Sequence, residues 1–356
     1  MAISAAAASP PGAVRDHGFH PLRVARVVAE TAESASFVLD VPDELRDAYA
    51  YEAGQFLTFR VPVEGEHHLR SYSMSSSPAV DDELQVTVKR VPGGVVSNAM
   101  IDTLGPGDRV EATRPAGVFC LGPGDGDIVA FAAGSGVTPI YSLLKAALAT
   151  TSRRVRLLYA NRDRDSVIFG PALDTLAEQY PDRLAVVHRL DVEQGFVDEA
   201  AIAPFADEAA AADVYVCGPT PFMDIVEAAL LARGVDPSRI RIERFDPAPP
   251  PSAPEATAEA TAAARVTIEL DGQTGTVDHH PGTTILQTAR ELGMAAPFSC
   301  EAGNCATCMA RLVEGEVTMY TNNALTDEEV ADGWVLTCQS VPTTATVHVV
   351  YGYGEA

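Results

Sequence analysis

A chain of 356 residues with 25 basic and 49 acidic side chains carries a formal charge of −24, and 47% of it is hydrophobic. Such an acidic balance excludes a nucleic-acid binder, which needs basic patches against phosphate, and no apolar run approaches the roughly 20 residues of a membrane span. The length exceeds one ordinary core and predicts a soluble, cytoplasmic protein of two or three domains.

Residues 1–12 have no basic start and no long apolar stretch, so residues 1–17 read as an unstructured tail. Residues 18–122 follow as short alternating segments, at 22–28, 36–41, 56–61, 84–90 and 109–112, punctuated by Gly, Pro and Asp. That rhythm predicts a small antiparallel β-barrel. Within it stands Arg70-Ser71-Tyr72-Ser73, which alone is more often an exposed polar strand end than a site. Val88-Lys89-Arg90 comes next, then Gly93-Gly94-Val95-Val96-Ser97-Asn98, small residues whose backbone N–H groups can receive a phosphate where a helix begins. The combination resembles the flavin barrel of the ferredoxin–NADP reductase superfamily. By that resemblance Arg70 pairs with the flavin pyrophosphate, Ser71 shares its strand, Tyr72 packs on the isoalloxazine and Ser73 bonds near N5 as a catalytic residue. Val88 and Lys89 line the ribityl side, and Val96 and Ser97 give backbone donors to the pyrophosphate. A pyrophosphate cradle at 93–98 implies FAD in preference to FMN.

Residues 123–245 open with a buried-strand run at 127–133, turned by Gly134-Ser135-Gly136-Val137-Thr138-Pro139 into a helix with Ile140, Leu143, Leu144, Ala147 and Leu148 on one face. Strands at 155–159, 184–190 and 214–217 alternate with helical stretches, which predicts an α/β domain with a parallel sheet. The last of these ends in Cys217-Gly218-Pro219. The glycine turn is not the G-x-G-x-x-G fingerprint, and a cysteine at a strand end is equally plain core. As a pair the two motifs resemble the pyridine-nucleotide domain of the same superfamily. This implies that Gly134, Gly136, Thr138 and Pro139 hold the nicotinamide dinucleotide, and that Cys217, with Gly218 and Pro219, stands near its hydride-carrying carbon. Glu243-Arg244-Phe245 matches an E-x-F ending, with Phe245 either covering the flavin or buried as core.

Residues 246–264 are rich in proline and alanine and read as an extended linker. Residues 265–356 give two strands around Asp271-Gly272, a helix over 284–292 ending at Gly293, and a last strand at 346–350. Between them lie Cys300, Cys305 and Cys308, with Cys338 further on, the C-x4-C-x2-C spacing of plant-type [2Fe–2S] ligands. Gly303 and Ala306 let backbone N–H groups approach the sulfurs. A structural zinc usually takes its cysteines as two close pairs, and a reducing compartment disfavours disulfides. The segment resembles the β-grasp ferredoxin module. Its three arginines stand against twelve acids, a charge of −9, a field suited to steering a partner. Where relatives place a basic residue directly after the first cysteine, this chain has Glu301.

The order of flavin barrel, nucleotide domain, linker and ferredoxin is similar to that of reductase components of bacterial oxygenases, those of 3-ketosteroid 9α-hydroxylases first and of phenylacetyl-CoA epoxidases next. The resemblance implies an oxidoreductase passing electrons from NADH, or NADPH, through FAD and the cluster to a terminal oxygenase, of Rieske type for the steroid enzyme. Two other classes stay open: a four-cysteine redox sensor or binding module without turnover, and a stand-alone flavin or quinone reductase.

Overall fold

The computed structural model describes residues 2–4, 19–245, 264–270, 272–280, 282–298 and 300–352. Two compact units emerge. One holds Pro21–Pro115 and Phe119–Asp246; the other joins both ends of the chain, Met1–His20 and Pro247–Ala356, with Ala116–Val118. Apart from Ala264, the expected linker lies outside the described residues.

The sequence predicts a tail over 1–17, and the structure corrects this at β1 (Ala2–Ser4). That strand belongs to the second unit, because Ile3 is an apolar side chain with a core to enter there. Residues 5–18 lie outside the described residues.

In the first unit, β2 (His20–Thr31), β3 (Ser34–Asp40), β4 (Phe56–Val63), β5 (Glu66–Ser73) and β6 (Leu84–Lys89) precede α1 (Val95–Thr103) and β7 (Arg109–Ala112). The six strands form one sheet in the order β5-β4-β7-β2-β3-β6. A bridge between Met74 and Val86 connects the end of β5 to β6, so the sheet curls on itself. Alternate side chains such as Phe37, Leu57 and Phe59 fill the interior, and α1 adds Val96 and Met100.

The chain continues as β8 (Ile128–Ala133), α2 (Val137–Thr150), β9 (Val155–Asn161), α3 (Gly170–Gln179), β10 (Leu184–Leu190), α4 (Asp191–Gln194), α5 (Glu199–Ala209), β11 (Asp213–Cys217), α6 (Thr220–Ala232) and β12 (Ile240–Glu243). The strands pair in parallel in the order β10-β9-β8-β11-β12. Every residue of β8 is buried, since helices cover both faces, and this is why its sequence is an unbroken apolar run. Successive strands step outward from β8 to β10, then restart on its other side at β11. The carboxyl ends of β8 and β11 therefore bound the topological switch point, where open α/β sheets take their ligands.

The second unit contains β13 (Arg265–Leu270), β14 (Gln273–Asp278), α7 (Ile285–Glu291), β15 (Met309–Glu314), β16 (Glu316–Met319), α8 (Asp327–Ala331), β17 (Trp334–Leu336), β18 (Ser340–Pro342) and β19 (Thr346–Val350). A mixed five-stranded sheet, β14-β13-β19-β15-β17, packs Val266, Ile268 and Val349 against Ile285, Leu286 and Ala289 of α7. The side chains of Thr284 and Gln287 close a capping box at the start of that helix. A smaller sheet runs β1-β16-β18, with Ile3 opposite Val317. Among the described residues no helix is long and apolar enough to cross a membrane.

Candidate electron-transfer sites

Strand β5 alternates, and its two faces divide the Arg70–Ser73 motif. The Ser71 hydroxyl bonds Thr58 Oγ1 at 2.8 Å. Tyr72 packs 6.0 Å from the Phe59 ring, and burial pushes its hydroxyl well above the ordinary tyrosine range. Arg70 is exposed, with Nη1 donating to its neighbour Leu69 O at 2.7 Å. Ser73 is 2% exposed, yet its hydroxyl meets no hydrogen-bond partner among the described residues. A buried orphan hydroxyl costs free energy unless something accepts or donates there, and a flavin ring edge offers that partner.

Helix α1 begins two residues ahead of Ser97, so the orphan N–H groups of its first turn include those of Val96 and Ser97. The Ser97 hydroxyl is turned back to accept from Val91 N at 3.1 Å, which secures the preceding loop. The loop borders a cavity of about 330 Å3 lined by Lys89, Val91, Pro92 and Asn98 on the barrel side and by Arg162 beyond β9, with Glu33 and Arg90. Val88 itself is wholly buried.

The two nucleotide motifs meet at the switch point. Gly134 has φ 53, and a Cβ added to it would stand 3.4 Å from Lys89 Nζ, so the barrel's β6 ends against the glycine turn. At Gly136 a Cβ would lie 2.2 Å from Cys217 O, which explains the need for glycine. Thr138 Oγ1 donates to Ser135 O at 3.0 Å, and Pro139 occupies the first turn of α2, where its missing N–H removes no helical bond. Pro219 precedes α6 in turn, with Gly218 tight against Ala133. Cys217 is fully buried; burial first, then the nearby Glu243 charge, raises its thiol well above the ordinary range. Glu243 pairs in register with Cys217 across β11 and β12, a proximity that spacing alone does not reveal. Phe245, just past β12, is 40% exposed, which removes the core reading of this residue.

Beyond β9, Arg162 Nε donates to Asp163 at 2.8 Å and the guanidinium stands 3.7 Å from Glu33, which projects from the β2–β3 hairpin. The partnership with Glu33 joins residues far apart in sequence and leaves no motif.

In the second unit, left-handed backbone at Glu301 (φ 51), Gly303 (φ 77) and Ala306 (φ 51) coils the cysteine loop. A Cβ on Gly303 would sit 2.6 Å from Thr321 O. The coil turns N–H groups onto sulfur: Ala302 N and Asn304 N reach Cys300 Sγ at 3.4 and 3.3 Å, and Cys300 N reaches Cys305 Sγ at 3.4 Å. Thr337 donates to Cys308 O at 2.7 Å and so brings Cys338 alongside. All four cysteines are buried and free. They interact as two pairs, in which the bond to Cys300 lowers the Cys305 thiol and the bond to Cys338 raises that of Cys308. Among the described residues no three His, Cys, Asp or Glu side chains gather around a single ion. Two pairs with backbone donors on sulfur are instead what a [2Fe–2S] cluster requires of its ligands.

Comparison with known proteins agrees with this geometry. Residues 21–120 match the oxidoreductase FAD-binding domain, 131–228 the oxidoreductase NAD-binding domain and 268–343 the 2Fe-2S iron-sulfur cluster binding domain. The chain is 41% identical over 330 residues to the ferredoxin reductase component of 3-ketosteroid-9-alpha-monooxygenase from Rhodococcus rhodochrous, covering 91% of this chain and 94% of that one. It is 33% identical to a component of the 1,2-phenylacetyl-CoA epoxidase from Escherichia coli, covering 93% and 97%. Among solved structures it resembles phthalate dioxygenase reductase, a modular protein for electron transfer from pyridine nucleotides to [2Fe–2S], with TM-score 0.57, 25% identity and coverage of 94% and 98%. An acidic chain whose orphan serine, glycine turn and paired cysteines lie in these three modules thus belongs to the family of FAD- and NAD-binding oxidoreductases with a 2Fe-2S domain that serve as monooxygenase reductase components.

Proposed function

We propose that this chain is the NADH-dependent reductase of a 3-ketosteroid 9α-hydroxylase, delivering electrons to a Rieske-type terminal oxygenase. The observation that carries the reading is the 41% identity to the steroid enzyme's reductase component, against 33% to the epoxidase component, each over more than nine-tenths of the chain.

When bound, FAD takes an electron pair as hydride and the cluster moves electrons singly, so the hard chemistry belongs to the cofactors. The chain positions them. Arg70 offers charge to the flavin pyrophosphate beside the backbone N–H groups of Val96 and Ser97, and Tyr72 packs on the ring. Ser73 presents its unpartnered hydroxyl to the ring edge. Gly134, Gly136, Thr138 and Pro139 shape the nucleotide turn, with Lys89 beside it. Cys217, followed by Gly218 and Pro219, would orient the nicotinamide as a neutral thiol, and Phe245, exposed just past β12, would cover the flavin. Cys300, Cys305, Cys308 and Cys338 hold the cluster.

NADH is favoured because Asn161 and Arg162, with Arg164 nearby, follow the second strand of the nucleotide domain where a ribose 2′ group would lie; Asp163 and Asp165 oppose a phosphate there, and Arg162 is already engaged by Asp163 and Glu33. Reconstitution decides the partner. The purified protein, NADH and a 3-ketosteroid 9α-hydroxylase oxygenase should turn a 3-ketosteroid over, while the oxygenase part of a phenylacetyl-CoA epoxidase should receive few electrons. Coupling to the epoxidase alone would overturn the reading.

A further inference from the structure

Glu301 directly follows Cys300 and places a carboxylate at the mouth of the cysteine loop. Its backbone is left-handed, a conformation costly for a residue with a side chain. Two contacts hold it there. Gln339, next to Cys338, donates to Glu301 O at 2.8 Å. From the last turn of α7, Arg290 grips the carboxylate with both arms of its fork, Nη1 to Oε2 at 2.9 Å and Nη2 to Oε1 at 2.8 Å. The guanidinium is also seated 4.2 Å from the centre of the Phe298 ring, itself within the approach to Cys300. Among the described residues the other arginines of this unit lie elsewhere, Arg265 at the start of β13 and Arg311 on β15 against Trp334.

We infer that Arg290 is a positioning residue for electron transfer: held by Glu301 and Phe298, it balances the Glu301 carboxylate beside the cluster and so keeps the cluster's reduction potential within the flavin's reach. The argument is electrostatic. One electron added to the cluster adds one negative charge to a site walled by buried sulfur, and net charge close to such a centre shifts its potential. An unpaired Glu301 would oppose that electron; the bidentate guanidinium cancels it.

The inference rests on the four cysteines holding the cluster, and the test separates the two claims. Iron and sulfide content and visible absorption of the full-length protein report the cluster itself; their absence in the parent would sink the ligand assignment. The cluster potential is then measured by dye-mediated redox titration. Arg290→Gln should lower it by about tenfold in the one-electron equilibrium, roughly 59 mV. Glu301→Gln should raise it, and the double variant should return close to the parent. Arg290→Lys keeps charge without the fork and should fall between parent and Arg290→Gln. If Arg290→Gln proves too unstable to hold iron, Glu301→Gln and Arg290→Lys still give the sign. Both single charge removals moving the potential the same way, or cluster content falling while the potential stays put, would overturn the inference.

Discussion

Ser73 and Cys217 are both buried, one with an unsatisfied hydroxyl and the other with a thiol that its surroundings keep protonated. Neither arrangement makes a nucleophile, which needs an adjacent base or a depressed pKa. Cys217→Ala should therefore slow flavin reduction by hydride in stopped flow while leaving cluster absorption intact. Because burial lifts Cys217 above the ordinary 9.0 of a thiol, the parental rate should show no thiolate inflection as pH rises from 7 to 9. Arg162 gives a specificity test. Glu33→Gln frees one side of its guanidinium and should raise kcat/KM for NADPH by no more than about fivefold, since an exposed ion pair is worth about 1 kcal/mol or less. No change in the NADPH to NADH ratio would remove Glu33 from nucleotide choice. The Arg70–Ser73 motif, the glycine turn and the cysteine spacing were legible because each is contiguous or nearly so. Glu33 with Arg162 and Arg290 with Glu301 were not, for they are pairings across elements that only folding creates.

At the scale of elements, legibility followed periodicity and punctuation. Strand β8 and helix α2 announced themselves through an unbroken apolar run and a one-sided apolar face. Barrel closure through Met74 and Val86 had no such signature, being one bridge outside any alternating run. Strand β1 is three residues long with a single large apolar side chain, too short to show a period, and its partner lies near the other end of the chain. Ile3 is nonetheless 5% exposed in the second unit's core. Ile3→Ala should cost that unit about 2 kcal/mol or more, read as earlier thermal bleaching of the cluster with the flavin's release temperature unchanged. Thr284→Ala removes the cap of α7 and should cost about 1 kcal/mol. Because α7 also carries Arg290, that loss should again appear in the cluster signal.

For the whole molecule, two units with separate cores imply two separable activities. A chain ending near Phe245 should keep its flavin and reduce ferricyanide with NADH, yet fail to support the oxygenase; parental oxygenase turnover by this variant would take the cluster off the electron path. The acidic charge of residues 265–356 should make oxygenase reduction slow as salt rises, with little effect on ferricyanide reduction. The strand added by β1 also bears on the order of biosynthesis. Ile3 is made long before Val317, and at about 5–20 residues per second roughly a quarter of a minute to a minute separates them on the ribosome. Within that interval the barrel and the parallel sheet gain all their strands, whereas β1 must wait unpaired. The small sheet therefore closes only after the nucleotide-binding half has been synthesised.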